Sequence, residues 1–236
     1  MHTYYYNGVL EGVITLNEVE SNHAIKVMRS KVDSLVRIIN GKGFVAEGKI
    51  VSDHPKKCQI EVVSVVFHEI DYPTITIAIA PTKSNDRIEF FIEKATEIGV
   101  AAIIPLICKN NERDKVKVER WEKVVLAASK QSKRAWLPLI EPPITIKNLM
   151  QSTTLPTTKL IAYCEELPED SINKYIGCKE VLVLIGPEGD FTKDEVELAE
   201  KANFQRVNLG KNRLRTETAG IVAVSHLLVG VHTKQN

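Results

Sequence analysis

The segment from residue 74 onward alternates continuous apolar runs with segments whose apolar residues have helical spacing. Residues 74–80 form an almost unbroken apolar run, which is typical of a strand buried on both faces of a sheet. Residues 86–98 follow with one apolar stripe, and Gly99 is placed to end that helix. Because further strands and helices alternate in the same way, the pattern predicts an α/β fold with a mainly parallel sheet and helices on both faces.

The other elements of this region are predicted from the same signals. Predicted strands occupy residues 100–107, 159–164, 180–185 and 206–209. One predicted helix contains residues 121–128, and residues 136–143 are too rich in proline to continue it. A second helix starts at a capping box formed by Thr192 and Glu195, and a last helix begins near Glu217 and carries apolar residues as far as Val231.

Residues before about 70 have a different pattern, with short strands predicted at 35–39, 44–51 and 58–66. One helix is predicted at 18–28, where Val19, His23 and Val27 recur on a single face. The sequence Asp71-Tyr72-Pro73 suits a linker, because proline lacks a backbone donor and biases the residue before it toward an extended conformation. We therefore predict two domains, a small β-rich domain at 1–70 and an α/β domain at 71–236.

Overall composition limits the class of protein. The net charge of +1 means that nucleic acid, if bound, must be bound by a local basic surface rather than by the average field of the molecule. The N-terminus lacks an apolar signal core and no apolar run is long enough to span a membrane, so we expect a cytoplasmic protein without a membrane partner. Four cysteines fit neither a disulfide framework nor a zinc site, and we expect structural thiols at Cys58, Cys108, Cys164 and Cys178.

Two glycine-bearing turns, 185–191 and 209–219, each follow a short apolar run and lead into a segment with helical spacing. Such turns place exposed backbone amides above the end of a sheet. In the first turn, Gly186 and Gly189 permit positive φ and close approach of a ligand to the backbone, and Pro187 stiffens the chain. Taken alone, this pattern is more often an ordinary connection between a strand and a helix.

The second turn contains charged residues in addition to its glycine. Arg213 and Arg215 supply fixed cationic groups close to Gly210, and residues 217–219 lie where a helix N-terminus favours an anion. Charged runs are commonly solvated surface, but small residues such as Thr218 seldom accompany them. Two turns of this kind side by side predict a ligand pocket.

The sequence lacks the motifs that mark several common classes of functional site. No glycine loop ends in Gly-Lys-Ser or Gly-Lys-Thr, and there is neither a Gly-x-Gly-x-x-Gly nor a Gly-x-Ser-x-Gly motif. The six histidines lie too far apart in sequence to suggest ligands on one helix face, and no acidic pair suggests a magnesium site. We therefore expect neither a nucleotide hydrolase nor a metalloenzyme.

Local basic segments are candidates for binding nucleic acid. Residues 109–134 contain nine basic and four acidic residues, although ion pairs along a solvated helix explain the first half about as well. Residues 130–134 have no acidic partner within their own segment. In the first domain, His23, Lys26 and Arg29 combine charge with a ring that can stack on a base, while His23 alone is more typical of a structural residue.

Five segments in order resemble the RsmE-like 16S ribosomal RNA uracil-N3 methyltransferases of the SPOUT class, across nearly the whole chain. These segments are 23–29, 94–100, 131–134, 185–189 and 214–219. The second turn departs from the family pattern Gly-Pro-Arg-Ile-Leu-Arg, because its first arginine is displaced by one position to Arg213. Arg215 is therefore the better candidate for a specific role.

The resemblance implies a PUA-like β-barrel domain followed by a SPOUT domain with a deep trefoil knot, acting as a homodimer on 16S ribosomal RNA of the small subunit. It also implies a site for S-adenosyl-L-methionine formed by Ile185, Gly186, Pro187, Glu188, Gly189, Leu209, Gly210, Leu214, Thr218 and Ala219. The RNA-binding candidates are His23, Lys26, Arg29, Gln131, Lys133 and Arg134. The knot rests on the resemblance alone, since general connection rules argue against knots.

The chemistry assigns roles to two further residues. Neutral uracil holds a proton on N3, so an enzyme that methylates this atom must assist proton loss or stabilise charge on O2 and O4. We expect Arg215 to stabilise the uracil oxyanion, and Glu217 to orient Arg215 or relay the proton. The target base must be unpaired or extruded, because N3 lies on its Watson-Crick edge.

Two alternatives remain open from the sequence. A related knotted methyltransferase could act on another RNA atom, such as a ribose 2′-hydroxyl or a tRNA base. A non-catalytic RNA-binding assembly factor could use the same loops to hold only phosphate.

Overall fold

A computed structural model describes residues 1–70, 73–163 and 170–232, with side chains described as far as residue 228 in the last helix. The predicted linker residues Asp71 and Tyr72 and the predicted thiol Cys164 lie outside the described residues, as does the side chain of Val231. The chain divides into two compact units, one formed by Met1–Ile70 with Leu126–Leu137 and the other by Asp71–Val125 with Pro138–Asn236. The grouping of 126–137 with the first unit is a feature that the sequence patterns do not indicate.

The first unit is built on a five-stranded sheet with the strand order β1-β3-β4-β5-β2. Strand β1 pairs in parallel with β3, and the other neighbours are antiparallel. Its core lies between the strands and a short helix, around residues such as Tyr4, Ile38 and Ile60. The strands are β1 (Thr3–Tyr5), β2 (Val13–Thr15), β3 (Leu35–Ile39), β4 (Phe44–Ser52) and β5 (Gln59–Phe67), and α1 is Glu18–Asn22.

The predicted helix at 18–28 is two elements, α1 and a π-helical segment at His23–Val27. The predicted apolar face is wrong, because Val19 is 76% exposed and Val27 is 61% exposed. Glu20 and Ser21 are buried instead, and each has hydrogen-bond partners that offset the cost of burial. The Glu20 carboxylate accepts from the Tyr5 amide at 3.0 Å, and the Ser21 hydroxyl donates to a backbone carbonyl at 3.0 Å.

The second unit contains a seven-stranded sheet in which every pairing is parallel. Its main path is β12-β10-β11-β6-β7-β8, and β9 pairs with β7. The strands are β6 (Thr74–Ile79), β7 (Ala102–Ile107), β8 (Leu139–Ile140), β9 (Ile144–Thr145), β10 (Thr158–Ala162), β11 (Glu180–Ile185) and β12 (Gln205–Val207). The remaining helices are α2 (Asn85–Ile98), α3 (Val118–Ser132), α4 (Ile146–Met150), α5 (Lys193–Lys201) and α6 (Thr216–His232). Residues 126–132 of α3 are grouped with the first unit.

The predicted α/β class and most predicted elements are confirmed. Strand β11 has the predicted bounds, α2 ends at Gly99 with φ 136°, and α5 starts at the predicted capping box of Thr192 and Glu195. Strand β12 is shorter than the predicted 206–209, since Leu209 lies beyond its end. Within the described residues, no helix is both long and apolar enough to cross a membrane.

The strand order identifies one edge of the sheet as the place for a ligand. After β6 the chain crosses to β7 on one side, and after β11 it crosses to β12 on the other side. Ligands of open parallel sheets bind at such a switch point, outside the carboxyl ends of the strands. The first glycine turn follows β11 at this position.

Helix α6 packs closely on α2 and β6 next to that edge. A Cβ atom built on Gly220 would lie 2.5 Å from Phe91 and 3.1 Å from Ile79, so only glycine fits here without a shift of those side chains. This approach brings the first turn of α6, which contains Thr216 and Glu217, beside the first turn of α2, which contains Arg87.

Candidate functional site

Two cavities lie at the carboxyl edge of the parallel sheet and share four lining residues, Asp190, Arg213, Leu214 and Ala219. The first has a volume of about 340 Å³ and the second of about 280 Å³. The first is also lined by Arg87, Ile185, Gly186, Pro187, Glu188, Arg215 and Thr216. The second is also lined by Ala162, Tyr163, Gly189, Val207, Asn208, Leu209, Gly210, Lys211 and Asn212.

The two glycine turns therefore meet, although the strands that lead into them are not neighbours. Strand β10 lies between β11 and β12, so the two turns predicted to lie side by side follow strands that have one strand between them. The end of β10 contributes Ala162 and Tyr163 to the second cavity. The site is consequently built on the carboxyl ends of three strands rather than two.

In the first turn, close packing rather than backbone conformation favours glycine. Neither Gly186 nor Gly189 has positive φ, and the left-handed conformation falls on Asp190 at φ 61°. The expected use of positive φ at these glycines is therefore wrong. A Cβ atom at Gly186 would lie 3.1 Å from ring atoms of Phe191, and one at Gly189 would lie 3.3 Å from Cβ of Asn110.

Residues after β7 hold the first turn in place. The side-chain amide of Asn110 donates to the carbonyls of Gly189 at 3.2 Å and Asp190 at 3.1 Å. The Lys109 amide donates to Oε1 of Glu195 at 2.8 Å, while Oε2 of the same carboxylate completes the cap of α5. The turn is thus tied to two neighbouring elements.

The second turn is joined to the first by two hydrogen bonds. The Thr216 hydroxyl donates to the Gly186 carbonyl at 3.0 Å, and the Arg213 guanidinium donates to the Glu188 carbonyl at 3.3 Å. Gly210 has φ 133°, and a Cβ atom there would meet no other atom within 4 Å. Glycine is needed at 210 for its backbone conformation, and the space beside it is open.

A partly buried charge cluster lies against the first cavity. Arg87 is 4.0 Å from Oε1 of Glu188 through Nη1 and 4.0 Å from Oε1 of Glu217 through Nε. The other oxygen of each carboxylate is buried and has no hydrogen-bond partner. Arg87 is absent from the predicted site residues, since nothing in the sequence distinguishes it from other charged residues on a helix surface.

The two predicted catalytic residues are placed differently. Arg215 is exposed and lines the first cavity, whereas Glu217 is buried. Among the described residues, the cation paired with Glu217 is Arg87, and there is no ion pair between Glu217 and Arg215. Of the ten predicted cofactor residues, Thr218 is exposed and lines neither cavity, while the other nine line one or both.

The cavities fit the predicted sulfonium cofactor in size and in chemistry. They form two neighbouring compartments with shared walls, which suits an elongated ligand with a nucleoside at one end and an amino acid at the other. Ile185, Leu214 and Ala219 supply apolar wall. The partnerless carboxylate oxygens of Glu188 and Glu217 are acceptors suited to a cationic ligand.

The predicted RNA-binding residues all lie in the first unit as the contacts divide the chain. Lys26, Arg29, Gln131 and Lys133 are exposed, and Arg134 is half-buried. His23 packs edge-on against Tyr4 with the ring centroids 6.0 Å apart.

An ion pair joins the two parts of the chain that carry these residues. The Lys130 ammonium lies 2.6 Å from Oε1 of Glu20, with the side chains 19% and 4% exposed. Glu20 belongs to α1, which precedes His23, and Lys130 precedes Gln131.

Metal ligation has no cluster to support it in the described ranges. Across residues 1–70, 73–163 and 170–232, no group of three or more His, Cys, Asp or Glu side chains is arranged to hold a metal ion. Cys58 and Cys108 are buried free thiols, and Cys178 is a partly exposed one.

Comparison with protein families gives two matches in chain order. Residues 69–228 match a model described as an RNA methyltransferase domain. Residues 16–63 match a model described as an RNA methyltransferase PUA domain. The first match contains all the residues that line the two cavities.

Two curated relatives with the same name are similar to this chain over almost their full length. Ribosomal RNA small subunit methyltransferase E of Mesomycoplasma hyopneumoniae is 32% identical, with 94% of this chain and 96% of the relative covered. The protein of the same name from Rickettsia conorii is 32% identical, with 92% of each chain covered.

Solved structures show the same similarity in three dimensions. A probable rRNA-methyltransferase from Porphyromonas gingivalis has a TM-score of 0.91 at 34% identity, with 100% of both chains covered. The structure of a ribosomal RNA small subunit methyltransferase E from Neisseria gonorrhoeae, bound to S-adenosyl methionine, has a TM-score of 0.87 at 26% identity, with 97% of both chains covered.

Proposed function

The chain belongs to the ribosomal RNA small subunit methyltransferase E family, and from this premise we propose that it transfers a methyl group from S-adenosylmethionine to 16S ribosomal RNA of the small subunit. The observation that carries the proposal is the pair of cavities between the two glycine turns. The turns are held together by the bond from Thr216 to Gly186, at the switch point where a parallel sheet binds its ligand.

The cofactor supplies an electrophilic methyl group on a sulfonium centre, and the residues of the chain hold it and orient the acceptor. Backbone groups of the turns at 185–189 and 209–214 are available to the adenosine and amino-acid parts. Because Gly186 and Gly210 leave the backbone bare, a ligand can approach it closely. We assign the cofactor to both cavities and the acceptor base to the open side of the first one, where Arg215 lies.

The proposed acceptor atom is N3 of a uridine. This nitrogen must lose its proton before or during attack, and the charge then spreads over O2 and O4. Arg215 is exposed at the first cavity, so its guanidinium can donate to a uracil oxygen and stabilise that charge. A cation at this point stabilises the developing charge without a metal ion.

Glu217 has a positioning role in this proposal rather than a direct one. It is buried and pairs with Arg87, whose other carboxylate neighbour is Glu188 in the first turn. The pair links the start of α6 to α2 and to the turn that holds the cofactor. We therefore revise the expectation that Glu217 orients Arg215.

The first unit is proposed to bind RNA next to the target nucleotide. Exposed cations at Lys26, Arg29 and Lys133 are suited to phosphate contacts, and the matched PUA domain covers residues 16–63. Because the target edge is used in base pairing, the nucleotide must be unpaired or extruded when it reaches Arg215.

Three further properties are proposed with the function. A homodimer is expected, and light scattering coupled to size-exclusion chromatography measures the mass that decides it. The trefoil knot also stays a prediction. A cytoplasmic location is also proposed, because the enzyme must reach ribosomal RNA.

The decisive experiment is deletion of the gene followed by mass spectrometry of small-subunit ribosomal RNA nucleosides. Loss of one 3-methyluridine, restored by the wild-type gene, is the expected result. Loss of a 2′-O-methyl nucleoside or of a tRNA modification would assign the enzyme to another target. Calorimetry of the purified protein with S-adenosylmethionine separates an enzyme from a pure RNA-binding factor, because the latter should release no heat.

A further inference from the structure

A third cavity, of about 460 Å³, lies at the carboxyl ends of β6 and β7 and takes no part in the site described above. Pro81 and Thr82 come from the loop after β6, and Asn85 and Ile88 from the start of α2. The opposite wall is formed by the segment after β7 and the start of α3, with Arg113, Asp114, Lys115, Val116, Lys117, Arg120 and Trp121. It is larger than either cavity of the proposed cofactor site.

The lining of this third cavity is strongly cationic. Four of its residues are basic, and one, Asp114, is acidic. Arg120 is held by Glu89 at 2.5 Å, and Arg113 donates to the side-chain carbonyl of Asn85. Two of the cations are thus fixed in direction by residues of α2.

The other two cations have no competing partner. Lys115 and Lys117 are exposed, and no described residue forms an ion pair with either ammonium. A lysine that is neither paired nor buried keeps its full charge available to an external anion, and the fold does not depend on it.

The same helix borders the third cavity and the first. Arg87 of α2 lines the first cavity, while Asn85 and Ile88 of α2 line the third. Strand β6 is the neighbour of β11 in the sheet, and adjacent strands lie about 4.8 Å apart, so the carboxyl ends that carry the third cavity and the first lie side by side. A strand of nucleic acid with one base at Arg215 can therefore place a flanking phosphate at the third cavity.

We propose that this third cavity binds the phosphate backbone of the RNA substrate beside the target nucleotide, with Lys115 and Lys117 as its free cationic contacts and Arg113 and Arg120 as its fixed ones. The inference deepens the proposed function, since it takes the substrate to be RNA. It also assigns a function to the first half of the basic segment 109–134. The cations of this half bind phosphate in addition to forming ion pairs.

The test compares RNA binding by the wild-type protein and by the double variant Lys115→Ala/Lys117→Ala, using fluorescein-labelled oligouridylate and purified small subunits. Each lost contact to single-stranded RNA lowers the slope of log affinity against log salt by about 0.7. Losing both lowers the slope by about 1.4 and weakens binding roughly 25-fold near 0.1 M salt. Affinity for S-adenosylmethionine and kcat at saturating RNA should stay at the wild-type level, while KM for RNA rises.

A matched control removes the same charge from the opposite edge of the sheet. Lys179 and Lys201 are exposed near the amino ends of the strands, so Lys179→Ala/Lys201→Ala should change the salt slope little. The variant Lys115→Gln/Lys117→Gln retains side-chain length and should match the alanine pair, which separates lost charge from altered folding.

Two results would overturn the inference: an unchanged salt slope in the Lys115/Lys117 variants, or an equal loss of affinity in the control. Neither result touches the proposed function, which stands or falls on methylation by the wild-type protein. Conversely, a wild-type protein that does not methylate RNA but loses RNA affinity in these variants would leave the binding surface in place.

Discussion

The hydroxyl of Thr216, at the start of α6, donates a 3.0 Å hydrogen bond to the carbonyl of Gly186, at the end of β11. Thirty residues separate the two in sequence. The bond fixes the second turn against the first at the point where their cavities meet, so the shape of the proposed cofactor site depends on it.

Replacing Thr216 with valine keeps the side-chain shape and removes the donor. The half-buried Gly186 carbonyl then lacks its partner, at a cost of about 1–3 kcal/mol, and we expect affinity for S-adenosylmethionine to fall about tenfold. Calorimetry measures the change. Thr74→Val is the control, since its hydroxyl bonds a carbonyl at the opposite edge of the sheet. Equal affinities in both variants would show that the bond does not shape the site.

Alanine at Gly210 should weaken cofactor binding through backbone strain. With φ at 133°, an alanine here costs about 1–3 kcal/mol and shifts the turn, although its Cβ has no neighbour to clash with. Gly177→Ala is the matched control, because Gly177 also has positive φ, at 95°, and open space around it. Both variants should melt at a lower temperature, but only Gly210→Ala should bind S-adenosylmethionine more weakly. A loss of affinity in both would point to general destabilisation.

Arg215→Ala should lower turnover on small subunits while leaving cofactor affinity intact. Removing a donor that stabilises developing charge typically lowers kcat by about 10²–10³. Arg213→Ala should give the opposite pattern, since Arg213 donates to the Glu188 carbonyl in the first turn and lines both cavities. Single-turnover rates and calorimetry separate the two effects. Turnover near wild type in Arg215→Ala would remove this residue from the mechanism.

Lys130→Met should destabilise the first unit strongly. It leaves the buried Glu20 carboxylate without its cation, and breaking a buried pair on one side costs about 3–5 kcal/mol. Adding Glu20→Gln should restore much of the loss, because an amide oxygen can still accept from the Tyr5 amide. Lys56→Met is the control, since its ion pair with Glu18 is 67% and 65% exposed and contributes little. Urea denaturation measures all three, and equal losses for Lys130→Met and Lys56→Met would contradict the prediction.

The stability of the protein should fall at alkaline pH in part through Cys58. Burial, aided by the charge of Asp53, raises the pKa of this thiol to about 11. An unfolded cysteine has a pKa of about 8.5, so between these values the unfolded state loses a proton that the folded state retains. The thiol's contribution is therefore fully present below about pH 8.5 and is lost as pH rises to about 11. The difference in free energy of unfolding between wild type and Cys58→Ala should narrow from about pH 8 to about pH 10, and a constant difference would argue against it.

Much of the second unit could be predicted because its signals are local. The apolar run of β11 and the capping box at Thr192 each specify their own element within a few residues. The left-handed backbone at Asp190 was not predicted, since glycine at 186 and 189 was the more obvious candidate. What distinguishes Gly186 in the structure is its close approach to the ring of Phe191. A sequence pattern does not reveal such packing.

Contacts between residues far apart in the chain could not be predicted from the sequence. Arg87 enters the site only because α2 lies beside α6, a contact set by the close approach of Gly220 to Phe91. Likewise, the exposed face of α1 was misjudged because Glu20 finds its partner at Lys130, far along the chain. Periodicity treats a carboxylate as a surface group, whereas a distant lysine and a backbone amide make its burial favourable.

The discontinuous make-up of the first unit has a consequence for the order in which the protein matures during translation. When only residues 1–70 have left the ribosome, the segment 126–137 that completes this unit is still to be synthesised. The Glu20 carboxylate has no paired cation until Lys130 emerges from the ribosome. The N-terminal portion therefore stays incompletely folded while the first strands of the parallel sheet are synthesised. A truncated N-terminal fragment is for the same reason a poor stand-in for this unit in binding studies.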